Sequence, residues 1–243
     1  SRRGDLVTAL SSAVFSVWLY GSMALFAVVL SPALLMSHQA AMTVIRWWAR
    51  VVILGLRWIV GARVEVRGLE HRPTGAALIA AKHQGMLDIV APFTFLPDPC
   101  FVMKKELMGL PFIGWFARKT KMIPVDRAAH ATALRDMAAQ ARARLAEGRQ
   151  IVIFPEGTRT QPGAPGVYKP GVAALYRDLG ESCTPMAVHS GGVWPASGFT
   201  RRAGTAVFEF LAPIPAGLKR IDFMREVEAR IEAGSTALLP PRS

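Results

Sequence analysis

The sequence predicts an α/β fold: a mainly parallel sheet flanked by helices, preceded by an N-terminal pair of apolar helices. Three observations predict it. Short apolar runs alternate with longer helical stretches from residue 63 to residue 212, the pattern that builds parallel βαβ units. Two of those runs, 76–81 and 151–154, end abruptly in polar chemistry at His83 and Glu156. Open α/β sheets carry their sites at such strand ends. Finally, residues 6–45 contain no Asp, Glu, Lys or Arg, and about 20 apolar residues suffice to cross a hydrocarbon core.

The elements follow in order. Residues 1–5 form a short polar lead with Arg2 and Arg3, and 6–30 form a long uncharged helix that Pro32 ends. Its apolar core is too long for a signal peptide, and no small-x-small cleavage site follows it. A second helix is expected over 37–60. There Arg46, Arg50 and Arg57 fall within about 40° of one another in helical projection. Trp47, Trp48 and Trp58 lie among the apolar residues around them, as in a helix lying in the membrane interface. Both flanks are basic and both prefer the cytoplasmic face. The expected topology is therefore a monotopic or re-entrant hairpin over 1–60, with the α/β domain over 61–243.

Residues 63–68 alternate and read as an edge strand. Strands follow at 76–81, 100–103, 121–125, 151–154, 184–188 and 205–211. Helices are expected at 87–95, 111–119, 128–147, 170–179 and 222–233, with Gly148 and Gly180 closing two of them. Trp115 and Phe116 are expected to be exposed near lipid. Residues 234–243 are expected to fray.

The chain has 243 residues, 51% of them hydrophobic, and a net charge of +12. Its mean hydropathy of +0.29 points to membrane contact. The basic balance suits anionic partners: phospholipid head groups, a phosphorylated substrate, coenzyme A or acidic acyl carrier protein. Nucleic acid ranks low, because no zinc-finger spacing, RNA-binding aromatic signature or repeat is present. Cys100 and Cys183 form no C-x-x-C motif and read as buried thiols. No histidine cluster has metal-ligand spacing, and there is no P-loop or G-x-G-x-x-G. No metal and no cofactor are expected.

His83 and Asp88 are separated by a segment that turns at Gly85. The carboxylate can fix the imidazole's tautomer and leave its other nitrogen free to accept a proton. The second stretch, Phe154-Pro155-Glu156-Gly157-Thr158-Arg159, lies downstream. Gly114 with Ile123-Pro124-Val125-Asp126-Arg127 forms a block between them, and Thr184-Pro185-Met186-Ala187-Val188 a fourth. These four blocks, in this order, resemble the glycerolipid acyltransferase family, and within it the bacterial 1-acylglycerol-3-phosphate O-acyltransferases. The resemblance covers roughly residues 60–215. It departs at Lys82, where the family often has Asn.

The resemblance implies an N-terminal two-helix membrane anchor at the cytoplasmic face of a bacterial inner membrane. It also implies acyl transfer from acyl-CoA or acyl carrier protein to lysophosphatidate. That chemistry needs a base, an oxyanion stabiliser and a held acceptor. His83 is the expected base and Asp88 its orienter. Glu156, Gly157, Thr158, Arg159, Arg127 and Lys105 are the expected substrate-binding residues. Arg159 leads for phosphate, because guanidinium binds it bidentately, and Lys169 is an additional candidate. Glu156 either orients Arg159, accepts from the glycerol, or forms a structural ion pair. Amides around Gly85 or Gly157 are candidate oxyanion donors. No G-x-S-x-G elbow is present, and none is needed when thiolate is the leaving group. Two other readings stay open: the same chemistry on another lysolipid, such as a lyso-ornithine lipid, and a non-catalytic basic membrane-binding protein. His189 follows a strand and can approach the site.

Overall fold

A computed structural model describes residues 2–126 and 130–241. Two helices come first, α1 (Arg2–Val29) and α2 (His38–Gly55), joined through a 3-10 turn at Ser31–Leu35. Pro32 sits in the first turn of that 3-10 segment. The Ser37 hydroxyl caps α2 by accepting from Ala40 N at 3.1 Å. A π-helical turn, Leu56–Val60, extends α2 to Gly61.

Seven strands follow: β1 (Ala62–Arg67), β2 (Ala77–Ala81), β3 (Pro99–Lys104), β4 (Ile123–Val125), β5 (Gln150–Ile153), β6 (Cys183–His189) and β7 (Gly204–Phe210). They form one sheet in the order β1-β7-β6-β2-β5-β3-β4. Every neighbouring pair is parallel except β6 with β7. The near-continuous burial of β2, β5 and β6 explains why they read as unbroken apolar runs. The remaining helices are α3 (Leu87–Val90), α4 (Pro92–Phe95), α5 (Ile113–Lys119), α6 (His130–Ala146), α7 (Gly171–Leu179) and α8 (Arg220–Ala237).

The N-terminal hairpin shares the sheet's core. Phe15 and Leu19 of α1 and Val52 of α2 are buried in the same apolar cluster as the strands. Phe15 meets Trp194 edge-on, with centroids 5.3 Å apart. The outer surface of α1 stays apolar and exposed, and its 27 residues Arg3–Val29 are long and apolar enough to cross a membrane.

Four expectations change. The expected 87–95 helix is two short turns, because Pro92 starts a new one. Arg46 does not join an outward basic stripe: its guanidinium donates to the carbonyls of Phe93 at 3.1 Å and Pro97 at 2.5 Å, tying α2 to the domain. Phe116 is buried while Trp115 is exposed. The last helix does not stop at Gly234 but continues to Ala237. A Cβ at Gly234 would lie 2.9 Å from the Ala187 Cβ, so glycine serves close helix–sheet packing there. Ser235, one residue on, accepts from Val188 N at 3.2 Å.

Both cysteines are fully buried. Burial pushes the Cys183 thiol up to about 12 and the Cys100 thiol up to about 11. Because thiolate is the reactive form, neither should react with a water-soluble thiol reagent at about pH 8 in the folded protein. Both should react once the chain is unfolded. A thiol count before and after denaturation checks this; rapid labelling of the folded chain would contradict the burial of both strands.

Candidate active site

Four strands of one direction, β2, β3, β4 and β5, deliver their carboxyl ends to the same edge of the sheet. His83 follows β2, Lys105 follows β3, Asp126 follows β4, and Glu156 follows β5. Parallel pairing thus collects residues remote in sequence. Arg127 lies outside the described residues.

The His83–Asp88 pair is formed. His83 Nδ1 lies 3.0 Å from Asp88 Oδ2. The same oxygen accepts from the amides of Gln84 at 2.5 Å and Gly85 at 2.9 Å, and Oδ1 accepts from the Ser190 hydroxyl at 2.5 Å. With Asp88 accepting, Nδ1 carries the imidazole proton and Nε2 presents a lone pair. No hydrogen-bond partner of Nε2 occurs among the described residues. The ring stacks on Phe154, centroids 4.1 Å apart and planes 19° from parallel. One stacking contact and one carboxylate therefore fix its orientation. Gly85 is required by close approach: a Cβ there would lie 2.4 Å from the Trp194 carbonyl oxygen.

Glu156 is buried and takes the structural option. Its Oε1 accepts from His83 N at 3.1 Å, and its Oε2 accepts from the Thr160 hydroxyl at 2.9 Å and pairs with Lys82 at 3.1 Å. Arg159 instead donates to the Ala196 carbonyl at 3.2 Å and is exposed beside exposed Thr158. Lys105 reaches Asp126 at 3.4 Å on the surface. Lys169 N–H binds the Pro155 carbonyl at 2.7 Å, which places its backbone beside the Glu156 turn. The amides suggested for an oxyanion are already engaged: Gly85 N donates to Asp88, and Gly157 N donates to the Phe154 carbonyl at 3.0 Å.

Lys82 is almost fully buried. Besides Glu156, its ammonium meets Glu232 of α8 at 2.7 Å and the Ala164 carbonyl at 3.2 Å. The Tyr168 hydroxyl donates to the same Glu232 oxygen at 2.9 Å. Burial first, then the Glu232 and Glu156 charges, pushes the Tyr168 phenol well above its usual range, so it stays a donor. Lys82 is thus a buried cation with its own acidic partner on α8.

Gln84, Thr160 and Ser190 complete the site, though none is among the residues that define the four motif blocks. Gln84 Oε1 accepts from the amides of Ser190 at 2.9 Å and Gly191 at 3.0 Å, clasping the β6 exit to the His83 turn. Thr160 N donates to the His83 carbonyl at 2.8 Å. Their adjacency to the motif blocks was the available signal. His189 ends β6, buried, with Nδ1 unpartnered among the described residues. Burial lowers its imidazole below the usual range.

A family model described as acyltransferase matches residues 63–189. The chain is 36% identical over 162 residues to 1-acyl-sn-glycerol-3-phosphate acyltransferase of Pseudomonas aeruginosa, covering 67% of this chain and 63% of that protein. It is 31% identical over 143 residues to the human 1-acyl-sn-glycerol-3-phosphate acyltransferase alpha, covering 58% of this chain and 50% of that one. The chain thus spans between half and two thirds of these curated relatives. Its fold is similar to the crystal structure of the 1-acyl-sn-glycerophosphate (LPA) acyltransferase PlsC from Thermotoga maritima. That likeness has a TM-score of 0.74 at 22% identity and covers 99% of this chain and 98% of the other.

Proposed function

The chain belongs to the acyltransferase family, and on that premise we propose that it acylates the sn-2 hydroxyl of 1-acylglycerol-3-phosphate, giving phosphatidate. The acyl donor is a thioester of coenzyme A or acyl carrier protein. The observation that carries this reading is the buried His83–Asp88 pair, stacked on Phe154 at the strand edge, with Nε2 left without a hydrogen-bond partner among the described residues.

His83 Nε2 accepts the hydroxyl proton as the glycerol oxygen attacks the thioester carbonyl. A C–O bond forms, the tetrahedral intermediate collapses, and the C–S bond breaks. The thiolate leaves and takes the proton back from the imidazolium. No acyl-enzyme is required. Asp88 holds the tautomer and stabilises the transient imidazolium. Glu156 supports His83 from behind through its amide, with Thr160 and Lys82. Arg159, Lys105 and Arg127 are the phosphate-binding cations, with Gly157 and Thr158 shaping that turn.

Residues 1–60 form the membrane-anchoring motif in this reading, monotopic at the cytoplasmic face of a bacterial inner membrane. The physical need is plain. Lifting a lipid acceptor's chain fully into water costs ~0.8 kcal/mol per methylene, so an enzyme seated in the leaflet takes its substrate sideways.

Arg159→Ala should raise the lysophosphatidate concentration for half-maximal rate by about tenfold, the loss of one charge-assisted contact. Titrating acceptor at saturating thioester checks this. Equal impairment on a lysolipid lacking the phosphate would remove Arg159 from phosphate recognition and favour a different head group.

A further inference from the structure

The segment between β3 and α5 presents apolar side chains that the core does not use. Leu110, Ile113 and Trp115 are 43%, 39% and 46% exposed. Around them the exposed charges are mainly basic: Lys104, Lys105 and Arg118, against Glu106. Lys105 is partly offset by Asp126.

Local contacts hold the segment's shape. Arg118 donates to the Met108 carbonyl at 2.7 Å across it. Phe112 holds a φ of +63°, a sparsely populated region for a bulky residue. That turn sets the Phe112 ring edge-on to Trp115, centroids 4.9 Å apart. A costly backbone conformation thus keeps a tryptophan and its apolar neighbours at the surface.

The segment also lies beside the N-terminal hairpin. α5 packs against α2 and against the Ser31–Leu35 turn. Leu35 and Met36 of that turn and its exit are 91% and 62% exposed. The apolar surface of the hairpin therefore continues onto the catalytic domain near β3, whose carboxyl end borders the active-site edge.

We propose that Leu110–Trp115 is a second membrane-contacting element, seated in the interfacial zone of a bilayer containing anionic lipid. It rests on the membrane-seated reading above and deepens it. Tryptophan prefers that zone, and the basic rim meets anionic head groups while Leu110 and Ile113 enter the acyl boundary. The hairpin and this element together hold the domain at two places, which fixes the tilt of the strand ends toward the lipid.

The test uses the full chain reconstituted into phosphatidylglycerol–phosphatidylethanolamine vesicles with brominated acyl chains. The difference in emission between the unaltered chain and Trp115→Phe isolates one of the six tryptophans. That share should be quenched by bromines near the head-group end, less by deeper bromines, and shielded from aqueous iodide. Emission indifferent to bromolipid and open to iodide would overturn the proposal. So would emission shielded from both, which marks a protein–protein contact instead. Flotation of the chain with the vesicles separates the two readings: a chain that floats while its Trp115 emission stays open to iodide overturns the second contact alone, and a chain that does not float overturns the membrane-seated reading.

Discussion

His83→Ala is expected to lower turnover by about 10²- to 10⁴-fold, the usual contribution of a positioned general base. The protein should still fold and bind vesicles, because the Asp88 carboxylate retains three of its four donors: the amides of Gln84 and Gly85 and the Ser190 hydroxyl. Asp88→Asn should be milder. The amide oxygen can accept from the same two backbone amides, and the imidazole is still present. Asp88→Ala should be worse than Asp88→Asn in stability as well as rate, since it strands those buried donors. Steady-state rates with matched unfolding curves separate the effects. Full activity in His83→Ala would remove the base from the mechanism.

Lys82→Met is expected to cost about 3–5 kcal/mol of stability, the usual result of removing one partner of a buried pair. The methionine fills much of the volume, so the loss is electrostatic. Glu156 and Glu232 would be left facing each other without a cation, and the Ala164 carbonyl without its donor. Glu232→Gln should cost less, because Lys82 keeps Glu156 and Tyr168 keeps an acceptor. The two changes should be strongly non-additive, since they act on one network. Denaturant unfolding of the unaltered chain, the two single variants and the double variant in a double-mutant cycle measures this. A Lys82→Met loss below roughly 1 kcal/mol would show that the site does not depend on the ion pair.

How much of this could be read from the chain follows from range. The strands and the His83–Asp88 pair depend on local pattern, and they lie where the alternation and the five-residue spacing place them. Arg46 was misplaced because helical projection gives a face but not what lies against it; the Phe93 and Pro97 carbonyls come from another segment. Gly234 looked like a stop because the closeness of Ala187 is a tertiary fact. Lys82 looked like a lone departure because its partner Glu232 sits 150 residues away on α8. Phe112 carries no sequence signal for its positive φ, and Arg127 falls outside the described residues.

The most direct measurement is a product assay on the purified full chain in vesicles. Lysophosphatidate, lysophosphatidylcholine and a lyso-ornithine lipid are each supplied with both an acyl-CoA and an acyl carrier protein thioester, and products are identified by mass. The expected result is phosphatidate from lysophosphatidate, acylated at sn-2, with formation abolished in His83→Ala. Phosphatidate formed equally by His83→Ala, or no acylated product from lysophosphatidate with either donor, would contradict it.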